Sequence, residues 1–188
     1  SLRLYSSDKD HRILQEAILG FGGIKLLDSL GYGTMNTYHM NEGHCSFLTL
    51  ALKEKFHGDE AKVRKRCHFT THTPVPAGHD HFSASRCKKL LQGLLPDELV
   101  LPSLVEDNRL HMTELGLHFS RSANGVSQLH GDVAQNQFPD YEIKYITNGV
   151  HHSHWISNQF GQLFDEYMPL WKEYPKNLLD IDKIPEDK

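Results

Sequence analysis

With 188 residues, 38% hydrophobic and 23% charged, the chain has the composition of an ordinary globular protein, enough for one cored domain or part of a larger one. A net charge of −4 with scattered basic residues argues against a nucleic-acid or anionic-membrane surface, the short run Lys62 to Arg66 reading as a solvated helix end. No apolar stretch approaches the roughly 20 residues of a membrane span. Cys45, Cys67 and Cys87 show no disulfide spacing, which fits a reducing, cytoplasmic setting.

Ser1 is not a methionine and Ser1–Tyr5 has the pattern of a strand, so the sequence is expected to begin within a longer protein. Residues 8–30 carry a helical period through Ile13, Leu14, Ala17, Ile18, Phe21, Ile24, Leu27 and Leu30, with Asp8 or Asp10 as cap and Gly31 as stop. Gly20, Gly22 and Gly23 inside it each cost about 1 kcal/mol against alanine, which predicts close backbone approach, a bend or a break. A strand over Thr37–Met40 stops at Asn41, read as the cap of a helix through Phe56. A strand over Cys67–Thr71 empties into a stiff loop, Thr71 to Phe82, with Pro74 and Pro76 on either side of Val75. Ser83 caps a helix through Leu91, and Pro96 and Pro102 flank a loop or short helix. A helix is expected over His111–Phe119 and a small-residue strand over Ser122–Val126. Ser127 caps another helix, Tyr141–Ile146 alternates as a strand, and Trp155–Met168 returns to helix.

Strands alternating with helices predict an α/β fold, a Rossmann-like and mostly parallel sheet with flanking helices. Ligands in such sheets sit outside the carboxyl ends of the strands, where Asn41–His44, Thr71–His81 and Thr147–His154 fall. If these strands are parallel, the three segments gather on one edge.

The chemistry of these segments leaves several readings open. The spacings of His79 and His81, or of His151, His152 and His154, match no established zinc pattern. Glu42 and Asp80 form a carboxylate pair of the kind glycosidases need only if the fold brings them together. Cys45 at a helix start is a reactive thiol if exposed and a small buried hydrophobe otherwise. No nucleophile elbow or phosphate-binding glycine loop is present. What remains is a set of Asn, Thr, His and Glu side chains, which suits the mixed donors and acceptors of sugar hydroxyls.

Four segments in one order carry a resemblance: His39-Met40-Asn41-Glu42-Gly43-His44, Thr70 to Phe82 (TTHTPVPAGHDHF), Asn124 to Gly131 (NGVSQLHG) and Ile146 to His151 (ITNGVH). Together they resemble the α-glucan (glycogen, starch, maltodextrin) phosphorylase family, in its shorter bacterial and archaeal branch. His11–Glu16 with Gly22 and Gly23 is similar to the segment that precedes these motifs there. The resemblance implies a two-lobed glycosyltransferase fold, of which residues 1–188 are similar to part of the amino-terminal lobe. It implies cleavage of α-1,4-glucan by phosphate to give glucose 1-phosphate, with pyridoxal phosphate as cofactor. By the same resemblance His72 is the catalytic-site histidine that contacts the reacting glucose, Asn148 hydrogen-bonds that glucose, Glu42 and His44 line the cleft, and Thr73 shapes its wall.

Two departures limit the carry-over. Many relatives have aspartate where this chain has Glu42. The shorter branch follows Gly131 with a Ser-Arg pair and an aromatic, where this chain reads Ala134-Gln135 and then Phe138, so contacts from that helix end are not carried over. No segment matches the cofactor lysine or the phosphate-holding basic residues, which belong to a carboxyl-terminal lobe. The expectation is therefore a piece inactive alone, with an apolar face where the missing lobe packs and a parent that is a candidate homo-oligomer. The competing reading is a non-catalytic or decayed carbohydrate-binding protein. A histidine-metal hydrolase is the third, and predicts stoichiometric metal.

Overall fold

The computed structural model describes residues 7–33, 35–95 and 105–186. The expectations for Ser1–Tyr5 and for Pro96–Pro102 lie outside these residues. The chain divides into two compact units, Ser1–Thr147 and Asn148–Lys188.

In the first unit, α1 (Lys9–Ala17) starts where the Asp8 carboxylate accepts the N–H of His11. It runs through one π-helical turn, Ile18–Gly22, into α2 (Gly23–Ser29), and Gly31 with φ +84° follows it. The buried stripe is Ile13, Glu16, Ala17, Gly20, Phe21 and Ile24. A Cβ on Gly20 would stand 2.6 Å from the backbone nitrogen of Leu48, so close backbone approach is the reason for that glycine. Leu14, Ile18 and Leu30, expected on the inner face, are instead exposed along with Leu19 and Leu26.

Strands β1 (Tyr38–Asn41), β2 (Cys67–Thr70), the later Ser122–Gly125 and Ile143–Tyr145 form a four-stranded sheet in that spatial order, every neighbouring pair parallel. Between β1 and β2 lie α3 (Phe47–Lys55) and α4 (Glu60–Arg66). Between β2 and the third sheet strand come β3 (His81–Ser83), α5 (Ala84–Leu90), β4 (Val105–Glu106), β5 (Arg109–His111) and α6 (Met112–His118). We number Ser122–Gly125 as β6 and Ile143–Tyr145 as β7, with α7 (Gln128–Gln137) between them.

Period-two alternation sends Tyr38, Met40, Cys67, Phe69, Ala123 and Ile143 into the core, with Phe21, Phe47, Leu52, Val63, Leu115 and Phe119 of the surrounding helices. Each fully buried aromatic or aliphatic side chain contributes roughly 1.5–3 kcal/mol. The other face of the sheet is polar and hydrogen-bonded: His39 donates to Thr70 Oγ1 (2.7 Å), which donates to Asn124 Oδ1 (2.9 Å), and His68 donates to the same oxygen (2.7 Å).

The expected α/β class with a mostly parallel sheet is thus the observed one. Unforeseen was a small antiparallel sheet, β3-β5-β4, inserted after the long loop. Its strands have two or three residues, too short for alternation to register.

The second unit holds α8 (His152–Trp155), α9 (Asn158–Tyr167) and a 3₁₀ run over Pro175–Lys183. The helix expected over Trp155–Met168 forms as α9 over Asn158–Tyr167, while Trp155 ends the short α8 instead. Ile156 leaves the helix at ψ 137°, and Ser157 accepts the N–H of Phe160 to start α9. Phe164, Met168 and Trp171 make its core, and Trp171 donates to Asp165 (2.9 Å). Among the described residues no helix is long and apolar enough to cross a membrane.

Candidate functional site

The site is built where β1 and β2 end side by side. Parallel pairing sets Asn41 against Thr70, so both chains leave the sheet at the same end. Asn41 is the last residue of β1 rather than a helix cap. Glu42 instead caps a 3₁₀ turn, Gly43–Cys45, that leads through Ser46 into α3; it sits at φ +83° and accepts the N–H of Gly43 through Oε1 (2.9 Å). Positive φ in a non-glycine residue costs roughly 1–3 kcal/mol and persists where its surroundings fix it. Glu42 is fixed on three sides. Its N–H continues the ladder to the carbonyl of Thr70 (2.8 Å). Its Oε2 accepts the backbone N–H of His72 (2.6 Å) and the hydroxyls of Thr73 (3.0 Å) and Thr71 (3.4 Å). One carboxylate therefore ties the exit of β1 to the exit of β2.

The loop after β2 is held from its far side as well. Buried Thr71 donates its N–H to the carbonyl of Asn124 on β6 (3.0 Å). Gln137 at the end of α7 donates to the carbonyl of Pro74 (2.8 Å) and accepts from His79 Nε2 (2.8 Å), while His79 Nδ1 meets Thr113 Oγ1 (2.9 Å). A 3₁₀ turn, Pro76–Gly78, folds Gly78 so close that a Cβ there would stand 2.7 Å from Thr73 Cγ2. The His72 side chain, by contrast, is exposed, with Nε2 donating to Asn41 Oδ1 (2.6 Å).

These exits open into a cavity of about 590 Å³ lined by Arg12, Asn41, Glu42, His44, His72, Thr73, Gly78 and Asp80. Arg12 comes from the first turn of α1 and donates to Asp80 Oδ2 from Nη2 (2.8 Å) and Nε (3.3 Å). Burial, then the nearby Arg12 cation, holds the His44 imidazole below its ordinary pKa, against Glu42 and Asp80. It lines the cavity as a neutral donor and acceptor. With Arg12 matched to Asp80, the cavity presents mainly neutral hydrogen-bonding groups, the chemistry that sugar hydroxyls call for.

Glu42, His44, His72 and Thr73, singled out in the sequence, are thus brought together. Asn148 opens the second unit and is exposed. Glu42 and Asp80 do line one cavity, but each is committed, the first to loop backbone and hydroxyls and the second to Arg12. Neither is placed as a free general acid or base. Among the described residues no group of three or more His, Cys, Asp or Glu side chains is arranged to hold a metal ion. Cys45 lies between the two alternatives, half-buried against the core: burial raises its pKa and Sγ donates to the carbonyl of Asn41. Arg12 as a lining residue and Glu16 behind it escaped the sequence reading. The signal was there, a charged pair at i and i+4 with Glu16 on the apolar stripe of a helix.

Fold and cavity together define a Rossmann-like α/β segment with a polar cleft at the carboxyl ends of its strands. No family model matches the chain. It is 34% identical to the maltodextrin phosphorylase of Thermococcus litoralis over 98% of its own length and 25% of that protein's. It is 35% identical to the glycogen phosphorylase of Mycobacterium tuberculosis over 86% of its length and 23% of that protein's. For the glycogen phosphorylase of Aquifex aeolicus the figures are 34%, 89% and 27%. Over this span the chain is similar to maltodextrin and glycogen phosphorylases, and it covers about a quarter of the length of these relatives.

Proposed function

We propose that this chain supplies one wall of the catalytic cleft of an α-1,4-glucan phosphorylase, as part of its amino-terminal lobe. In that reaction a phosphate oxygen bonds to C1 of the terminal glucose, the C1–O bond to the glucan breaks, and the departing glucan oxygen takes a proton. The observation that carries the proposal is the Glu42 clamp, which fixes the His72 backbone while its imidazole lines a polar cavity whose one guanidinium is matched by Asp80. His72 is the glucose contact in this reading, with Glu42, His44 and Thr73 shaping the same wall. Asn148 is proposed as a further hydrogen-bonding partner of glucose on its motif alone.

The same cavity is poorly suited to phosphate or to a pyridoxal Schiff base. Its lining has no lysine, and its one cation among the described residues, Arg12, is matched by Asp80. We therefore assign pyridoxal phosphate and the phosphate-holding charges to a second lobe, and derive no step through the cofactor. Release of glucose 1-phosphate from maltodextrin and phosphate tests the reading. The 188-residue chain alone gives none. A protein joining it to a lysine-bearing second lobe gives turnover, which His72→Ala lowers by about 100-fold or more, the scale of one lost transition-state contact. Turnover by the chain alone, or unchanged turnover in the His72 variant, overturns it.

A further inference from the structure

Behind the cavity wall sits a carboxyl group that nothing above uses. Glu16 on α1 is 1% exposed. Arg12 Nε stands 2.9 Å from Glu16 Oε1, yet the Nε and Nη2 hydrogen bonds run to Asp80, and neither Glu16 oxygen has a hydrogen-bond partner among the described residues. Arg12 and Asp80 already balance one another. A second buried anion beside Asp80 would be uncompensated, and two adjacent carboxylates out of water do not both stay ionised. The groups facing Glu16 from the elements around it are Lys9 and Arg12 of its own helix, Asp80 of the loop, Cys45 of the 3₁₀ turn Gly43–Cys45 and Cys87 of α5.

We propose that Glu16 is held as a neutral carboxylic acid that donates its proton to Asp80, and that this proton positions the Arg12–Asp80 pair on the cavity wall. Burial, then the neighbouring Asp80 carboxylate, pushes the Glu16 carboxyl up to about 9, which agrees with the geometry. Glu16 touches no ligand in this scheme and is a positioning residue. Ionisation would place a second anion against Asp80, compete for Arg12 and disturb the wall. The functional half of the proposal rests on the glucan reading above; the protonation itself does not.

Infrared spectroscopy of the chain carrying ¹³C-labelled glutamate carboxyls separates the two. The expected result is one glutamic-acid C=O band near neutral pH that fades as pH rises through about 9 and is absent from Glu16→Gln. No such band at neutral pH, or a band that survives in that variant, overturns the proposal. Maltoheptaose titrated by calorimetry supplies the second arm. Near neutral pH Glu16→Ala weakens binding by about tenfold, roughly one lost buried hydrogen bond, while Glu16→Gln, which still donates to Asp80, restores it. Above pH about 9 the unaltered chain weakens and Glu16→Gln does not. If the band is present but both proteins lose affinity alike, the positioning role is refuted. If maltoheptaose binds at no pH, the glucan reading fails while the band still decides the proton.

Discussion

Glu42 concentrates the constraints of the site in one side chain. Its carboxylate serves the backbone of Gly43 and His72 and the hydroxyl of Thr73, so Glu42→Gln exchanges charge-assisted bonds for weaker ones and replaces one acceptor oxygen with a donor group. We expect a loss of about 1–3 kcal/mol in a urea titration, with amide exchange rising at His72 and Thr73. Two other residues set the pH dependence of stability. Burial, then His111, lowers His81 from 6.5 to about 4, so the folded protein resists its protonation, and stability is lost as pH falls from about 6.5 towards 4. Glu16 is raised from 4.5 to about 9, so its contribution is complete below 4.5 and lost as pH rises through about 9. Between 4.5 and 6.5 the two slopes oppose each other, leaving a decline from 6.5 to 9 that belongs to Glu16. Urea midpoints across that range should fall in the parent chain and stay level in Glu16→Gln.

At the scale of elements, the glycines of the first helix do different work. Gly20 meets Phe47 and Leu48 of α3, so Gly20→Ala forces two backbones apart and should cost about 3 kcal/mol. Gly23 has helical φ −58° and nothing within 4 Å of its would-be Cβ, so Gly23→Ala should gain about 0.5–1 kcal/mol. Thermal melts of the two variants check the contrast. The sequence pattern left close approach, a bend or a break open and did not say which glycine required it, because that depends on α3, far along the chain. The parallel strands were legible for a related reason: Tyr38, Met40, Cys67 and Phe69 alternate with polar residues over enough positions to mark a face. In the site, Glu42 and His72 were legible from their motif, whereas the positive φ of Glu42 and the Arg12–Asp80–Glu16 cluster depend on tertiary packing.

For the whole molecule, the two units differ in what holds them. The first packs side chains from helices and a sheet into one core, while the second has a core of Phe164, Met168 and Trp171. A segment of this size buries too little to be robust alone. Leu179 is 81% exposed, and Trp155, Phe160 and Tyr174 also face outward. Amide exchange should therefore be much faster throughout α9 than in β1, β2 and β6, and equal protection in both would contradict this division. The exposed Leu14, Ile18, Leu19, Leu26 and Leu30 are an apolar surface of the kind expected where more protein packs.

In the proposed function the exits of β1 and β2 form a glucose-contacting wall. Residue-resolved NMR of the chain during maltoheptaose addition reads that wall residue by residue. The expected result is saturable shifts at Asn41–His44, His72 and Thr73, abolished in His72→Ala with the rest of the spectrum preserved. Shifts confined to other surfaces, or unchanged binding in that variant, would contradict it.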